Sequence, residues 1–307
     1  MSKIIAIILV TLSAFFWGAN FNAGKIAVEH LSPIMAAALR FGLASILIIP
    51  VLLLCEKNIG QTIKNNIGMY IILGIIGIAG FNGLFFLGLK YTTPVNGALI
   101  MATNPLITII FATLILKDVI RFNQKTGMTL SFLGVLAVIT HGSISYVLQL
   151  KVATGDFIIM AANICWALYG VLGKRYLKNS KPLITTSVTM IIGSLLLIAL
   201  ASYNSTVNLI FSQTSQVYAA LIYMAVFGSI LAYLFWNYGI SHLGASNTSI
   251  FFNFVPIFTA LISIFNGQSI TPIQFLGGAL VIIGVLISSG SLKFSIKTQS
   301  QRAVLDN

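Results

Sequence analysis

The feature that most constrains this chain is a series of long apolar runs almost free of charge. Residues 4–17, 71–89 and 275–287 are such runs, and they approach or exceed the roughly 20 apolar residues that cross a bilayer. Backbone groups in hydrocarbon must bond within their own segment, so runs of this kind form helices. A membrane barrel would show period-two alternation over about ten residues, and none is present. Of 307 residues, 58% are hydrophobic and only 7% are charged. A water-soluble domain of this size needs far more charge over its surface. The expected fold class is all-α and integral to a membrane.

Ten transmembrane helices are predicted, over residues 4–25, 33–54, 67–89, 95–116 and 126–140, then 156–176, 183–203, 217–241, 245–265 and 271–289. Pro33 and Pro182 begin two of them, where proline is best tolerated. The first run, with Lys3 before it, has the look of a signal peptide. It continues through Trp17 and Asn20 without a small-residue cleavage site, so it reads as the first helix. With both termini in the cytoplasm, thirteen basic residues face inward: Lys3, Lys57, Lys64, Lys117, Arg121, Lys125, Lys174, Arg175, Lys178, Lys181, Lys293, Lys297 and Arg302. Three face outward, Lys25, Lys90 and Lys151, and Arg40 lies within a helix. That asymmetry is the signature of inside loops and orients the chain with both termini in the cytoplasm. It also accounts for the net charge of +12 without nucleic acid, since the charges sit in short loops. Cys55 and Cys165 offer no disulfide framework.

Self-comparison at an offset near 150 uncovers a duplication. Trp17, Gly24, Lys25 and Pro33 match Trp166, Gly173, Lys174 and Pro182 at offset 149. Gly88, Asn96, Pro105 and Thr108 match Gly239, Asn247, Pro256 and Thr259 at 151, and Gln124, Gly127, Gly134 and Val135 match Gln274, Gly277, Gly284 and Val285 at 150. Five helices per unit is an odd number, so the second copy must enter the membrane upside down, as two inverted five-helix repeats. The repeats are expected over residues 1–142 and 155–290, with a cytoplasmic tail over 291–307.

Several of these residues carry a family resemblance. The Trp17-Gly18 pair followed by Asn20, the stretches Leu39-Arg40-Phe41 and Leu89-Lys90-Tyr91-Thr92, the pair Asn104-Pro105, and Gly127 with Gly134-Val135 resemble EamA-type members of the drug/metabolite transporter superfamily. With both halves, the likeness covers about residues 4–290. It implies a ten-helix inner-membrane carrier, often an exporter of amino acids or other small metabolites. Where such proteins commonly carry Gly-Glu after the fourth and ninth helices, this chain has Lys117-Asp118 and Gly267-Gln268. Roles of those acidic positions therefore do not carry over.

Polar residues inside spans are costly in lipid and mark bundle interiors or cavities. The candidates for substrate contact are Trp17, Asn20, Arg40, Asn82, Asn104, Trp166, Tyr169, Tyr233, Trp236 and Asn253, with Asn22, Asn96, Asn163, Asn237 and Asn247 also within spans. By the repeat, Asn82 is the counterpart of Tyr233 and Phe85 of Trp236. A pocket of amides and aromatics suits a neutral or zwitterionic organic solute. An asparagine in a bundle can equally serve only to bond a neighbouring helix. Arg40 has three readings: a fork for a substrate carboxylate, a side chain snorkelling outward, or a partner of Glu29. Gly74, Gly77, Gly80 and Gly83, and the heptad pairs Gly127/Gly134 and Gly277/Gly284, read as surfaces for close helix approach.

Enzyme chemistry finds little to work with. His30, His141 and His242 lack metal-ligand spacing, no G-x-S-x-G or phosphate-binding loop is present, and no carboxylate pair is apparent. The chain is read as a secondary carrier and not an enzyme, exporting a small organic metabolite such as an amino acid by alternating access. The rival reading is a membrane-embedded enzyme or accessory protein using the bundle as scaffold. The expected partners are a small-molecule substrate and the lipid bilayer, with no cofactor, metal or nucleic acid, as a monomer or homodimer. Without a carboxylate deep in a span, transport is expected to be facilitated or driven by exchange. Pro105 and Pro256, repeat partners near the middle of the fourth and ninth helices, are the expected hinges. They point to a midplane site lined by those helices and by Trp17, Asn82, Trp166 and Trp236.

Overall fold

A computed structural model describes residues 2–57, 59–92, 97, 100–140, 143, 145, 148, 153–177, 179–204, 213–265 and 271–288. Asn96, His141, Lys151, Lys178, the Gly267-Gln268 pair and the tail lie outside the described residues, as do the side chains of Asn22, Lys25 and Gln274.

The described residues are helical, without strands. Six helices are long and apolar enough to cross a membrane: Lys3–Asn20, Pro33–Cys55, Ile59–Gly88, Thr154–Tyr176, Pro182–Tyr203 and Ser215–Leu243; Asn104–Leu116 and Phe275–Ser288 are shorter apolar helices. Helix α1 is Ser2–His30, α2 Pro33–Cys55 and α3 Ile59–Leu73; a π-helical stretch, Gly74–Gly80, leads into α4, Phe81–Tyr91. Then come α5 (Asn104–Phe111), α6 (Phe122–Thr140), α7 (Thr154–Tyr176), α8 (Pro182–Asn204) and α9 (Ser215–Tyr223). Two more π-helical stretches follow, Ala112–Leu116 after α5 and Met224–Leu231, which leads into α10 (Ala232–Leu243). Helix α11 (Ala245–Ser249) passes through a 3-10 turn, Ile250–Asn253, into α12 (Phe254–Phe265), and α13 is Pro272–Ser288.

The apolar outer surface matches a lipid setting, with Ile46, Leu53 and Leu54 of α2 largely exposed at 68%, 66% and 87%. Polar groups turn inward, where Ser13, Ser131, Asn163, Thr186 and Ser229 are all fully buried. Contacts at several levels show the helix directions. Helix α2 is antiparallel to α8, with Gly42 beside Ile198, the hydroxyls of Ser45 and Ser194 2.9 Å apart, and Lys181 bridging to Glu56 at 2.7 Å. Helix α4 is antiparallel to α7, with Phe81 against Trp166 and Gly88 against Ile159. Helix α7 is parallel to α10, through Tyr169 with Asn237 and Lys174 with Ser241. Helices α6 and α13 cross antiparallel on glycine, Gly127 meeting Gly284 and Gly134 meeting Gly277 backbone to backbone.

Both expected hinge prolines avoid a helix interior, unlike Pro50 inside α2. Pro105 is in the first turn of α5, after turn residues Ala102 and Thr103, and Pro256 is the third residue of α12, after the 3-10 turn. The steric clash expected of a mid-helix proline is thereby avoided, because each helix restarts just before it.

Candidate substrate site

The centre of the bundle is aromatic. Trp17 from α1 lies 5.3 Å from Trp166 of α7, 5.9 Å from Tyr233, 5.0 Å from Trp236 of α10 and 5.6 Å from Phe252 in the 3-10 turn, by ring centroids. Trp166 stacks on Tyr169 at 5.5 Å and meets Tyr233 edge-on at 5.3 Å. Such offset and edge geometries are the favourable ones for aromatic pairs. The sequence candidates Trp17, Trp166, Tyr169, Tyr233 and Trp236 thus converge on one cluster. Asn82 joins it, donating to the Tyr233 hydroxyl at 3.1 Å and to the Ile78 carbonyl at 2.9 Å.

Arg40 is buried, 4% exposed, and its guanidinium is held by the π-helical stretch Met224–Leu231. Its Nε donates to Ser229 Oγ and its Nη2 to the Gly228 carbonyl, both at 2.8 Å, and Trp17 Nε1 donates to the same carbonyl at 2.9 Å. Arg40 therefore neither snorkels outward nor pairs with Glu29, which is exposed. Neutral dipoles on another helix lie nearer and spare the long side chain an extended reach through hydrocarbon. Asn20, half-buried, has its Oδ1 against Gly228, with no hydrogen-bond partner.

Asn104 and Asn253 lie at the two breaks, beside the aromatic cluster. Asn104 Nδ2 donates to Asn163 Oδ1 at 2.7 Å, and Asn163 Nδ2 returns to the Ile100 carbonyl at 2.7 Å and Thr103 Oγ1 at 3.1 Å. Polar groups exposed by the interruption before α5 are thus met by a side chain from α7. Asn253 Nδ2 donates to Ser131 Oγ of α6 at 2.9 Å, while its Oδ1 is buried and unpartnered. Trp166 Nε1 is likewise buried without a partner.

A cavity of about 10 Å³ lies between α5, α7, α10 and α11, bordered by Asn104, Thr108, Trp166, Trp236 and Ser249 among others. That is room for about one water. Trp17 and Asn82, expected in its wall, instead pack within the cluster. A larger cavity, about 220 Å³, sits at one end against Lys3, His242, Leu243, Asn247 and Phe251. Among the described residues no His, Cys, Asp and Glu group could hold a metal ion.

Sequence reasoning passed over Gly228 and Ser229, the seat of Arg40. Their signal was slight, a small residue and a hydroxyl within an apolar run. The π-helical stretches left no signal of their own, although such segments often accompany functional sites.

The profile of the EamA-like transporter family matches residues 4–140 and 153–290. The chain belongs to that family. The uncharacterized transporter YyaM of Bacillus subtilis strain 168 is 48% identical over 290 residues, covering 94% of this chain and 95% of the relative. An uncharacterized transporter of Archaeoglobus fulgidus is 28% identical over 287 residues, with coverage of 91% and 97%. A crystal structure of a protein shares the fold with a TM-score of 0.75 at 15% identity, covering 94% of this chain and 96% of that one. With its apolar helices, this EamA protein is a multi-pass membrane transporter.

Proposed function

We propose that this transporter exports a small organic metabolite, an amino acid or a solute of similar size, by alternating access between two inverted five-helix repeats. The observation that carries the reading is a set of contacts between repeat counterparts. Trp17 meets Trp166, Ser45 meets Ser194, and Asn82 meets Tyr233, at separations of 149, 149 and 151 residues. Residues that a two-fold operation exchanges can touch only near its axis, so these contacts line up along an axis through the aromatic centre. The glycine crossings agree, since exchanging counterparts turns the Gly127–Gly284 contact into Gly277–Gly134. Under this reading ten helices cross the inner membrane, repeats occupy 1–142 and 155–290, and both termini with the tail 291–307 are cytoplasmic.

The polarity of the centre matches a zwitterion. Trp166 Nε1 is a donor without an acceptor, and Asn20 and Asn253 each offer an unpartnered Oδ1. A buried polar group left unmet costs about 1–3 kcal/mol, which a solute with its own donors and acceptors recovers. Trp17, Tyr169, Tyr233 and Trp236 would take the solute's apolar part, Asn82 and Asn104 would orient it, and Arg40 would receive a carboxylate once freed from Gly228. Because the centre is packed, the helices must part for entry, with the restarts at Pro105 and Pro256 as hinges. Carboxylates of the described spans lie at helix ends, as Asp156 does in the first turn of α7, and none lies deep, which favours exchange or facilitated transport over proton drive.

The test is counterflow in proteoliposomes loaded with a panel of L-amino acids. Accumulation of labelled solute against its own unlabelled pool, largely indifferent to an imposed pH gradient, is expected. No exchange of any member, or uptake driven by a proton gradient alone, overturns the reading.

A further inference from the structure

The two ends of the bundle close on the same pair of positions. Gly88, at the end of α4, faces α7, and a β-carbon there would lie 2.5 Å from Ile159 Cγ1 and 3.1 Å from the Gly155 carbonyl. A β-carbon on Gly155 would in turn meet the backbone of Gly88, Tyr91 and Thr92. Just beyond, Thr92 Oγ1 donates to the Asp156 carboxylate, whose other oxygen accepts from the Ala153 amide at 2.8 Å. Here α4 and α7 meet backbone against backbone.

Gly239, in α10, faces α1, and a β-carbon there would overlap Val10 Cγ2 and approach Thr248 Cγ2 to 3.1 Å. The shift that carries Gly88 to Gly239 is 151, and the shift that carries Val10 to Ile159 is 149, so the two contacts are counterparts. They lie at opposite ends of the molecule. Helix α4 runs against α7 while α10 runs with it, and each glycine follows its member of the Asn82–Tyr233 pair by six residues, about 9 Å along a helix. The Gly239 contact differs in kind, because its near neighbours are the side chains of Val10 and Thr248. The larger cavity, with Lys3 and His242, lies at the same end.

We propose that Gly88 and Gly239 are the two closing points of the transport cycle, one for each mouth, and that the Gly239 mouth opens more readily from the state described. The inference rests on the alternating-access reading. A mouth seals a solute path only if its helices reach backbone contact, and a residue without a β-carbon permits that approach. Side chains at the Gly239 mouth leave by rotating, whereas the Gly88 mouth opens only by moving whole helices. If the mouths are coupled, a wedge that props one open holds the other shut.

The experiment measures the labelling rate of single cysteines by a small methanethiosulfonate reagent in proteoliposomes, with Cys55→Ser and Cys165→Ser as background. Val10→Cys reports the Gly239 mouth and Ile159→Cys the Gly88 mouth. Adding Gly88→Ala to the first, or Gly239→Ala to the second, is expected to slow labelling several-fold relative to the matching single-cysteine protein. Ile159→Phe with Val10→Cys, and Val10→Phe with Ile159→Cys, place the same wedge from the partner side and keep both glycines. They are expected to give the same slowing, so the result does not hang on the folding of one variant. Labelling that stays unchanged or quickens in the variants that insert makes these contacts static packing and overturns the proposal. The measurement needs no solute: it can fail while amino-acid counterflow succeeds, and it can succeed when that panel fails.

Discussion

The α6–α13 crossing and the aromatic centre are both buried between helices distant in sequence, yet they are built in opposite ways. At the crossing the neighbours of each glycine include backbone atoms, such as the Gly277 carbonyl and the Val281 amide against Gly134. Nothing there can rotate aside, so the two helices must move as one body. At the centre the neighbours are rings and amides, and Asn20, Trp166 and Asn253 keep polar atoms unmet. Interfaces of small residues gain close backbone packing in lipid, whereas unmet polar groups cost stability that a ligand or water returns. Under the proposed transport cycle, the contrast separates a part built to hold from a part built to rearrange.

The largest expected effect breaks the holding part. Gly134→Leu drives a side chain into the Gly277 backbone at 2.6 Å and should cost about 3 kcal/mol or prevent assembly altogether. The readout is loss of a monodisperse peak on size-exclusion chromatography in detergent. Gly24→Ala is the control, because its new carbon finds Phe86 at 3.6 Å and Met224 at 3.9 Å, an ordinary contact. It should leave the profile unchanged.

Next comes Arg40→Met, which strips both Gly228 and Ser229 of a charged donor. A loss of about 2 kcal/mol is expected in thermal unfolding, together with at least a tenfold fall in counterflow. Arg40→Lys should restore little, since an ammonium cannot reproduce the planar two-point hold. Full activity in the lysine variant would mean that only charge matters.

A smaller effect sharpens the comparison within the centre. Asn104 is tied to Asn163 and Thr108, whereas Asn253 Oδ1 has no partner. Asn104→Ala should lower stability by about 1 kcal/mol. Asn253→Ala gives up the bond to Ser131 Oγ but also removes the unmet Oδ1, so it should lower stability less than Asn104→Ala while weakening apparent affinity several-fold. The reverse pattern would move the solute from the ninth expected helix to the fourth.

The smallest effect concerns Lys117, which ends the π-helical stretch Ala112–Leu116 in a left-handed conformation at φ 58°. That conformation costs a side-chain-bearing residue roughly 1 kcal/mol, so Lys117→Gly should stabilise the protein by about that amount in thermal unfolding. Here glycine matters for its backbone freedom, and at the α6–α13 crossing for its missing side chain.

Helical membrane segments were legible because the signal is local: an apolar run of sufficient length has one way to satisfy its backbone in lipid. The glycine spacing at 127, 134, 277 and 284 foretold close approach for the same reason, and the aromatic candidates converged because each was conspicuous in its own run. The breaks were legible in place but not in form. Asn104-Pro105 marked an interruption, yet the side chain that answers it, Asn163, comes from a helix some 60 residues on. Arg40 is the clearest limit. Its sequence neighbourhood permits a fork for substrate, a snorkel or a pair with Glu29, and its actual partners lie 188 and 189 residues away. Sequence by itself determined the all-helical class and its membrane setting, where each residue's energy depends on the few residues around it. Only the tertiary structure decided hydrogen-bond partners and the π-helical register, because those depend on which distant carbonyl comes within about 3 Å of which donor.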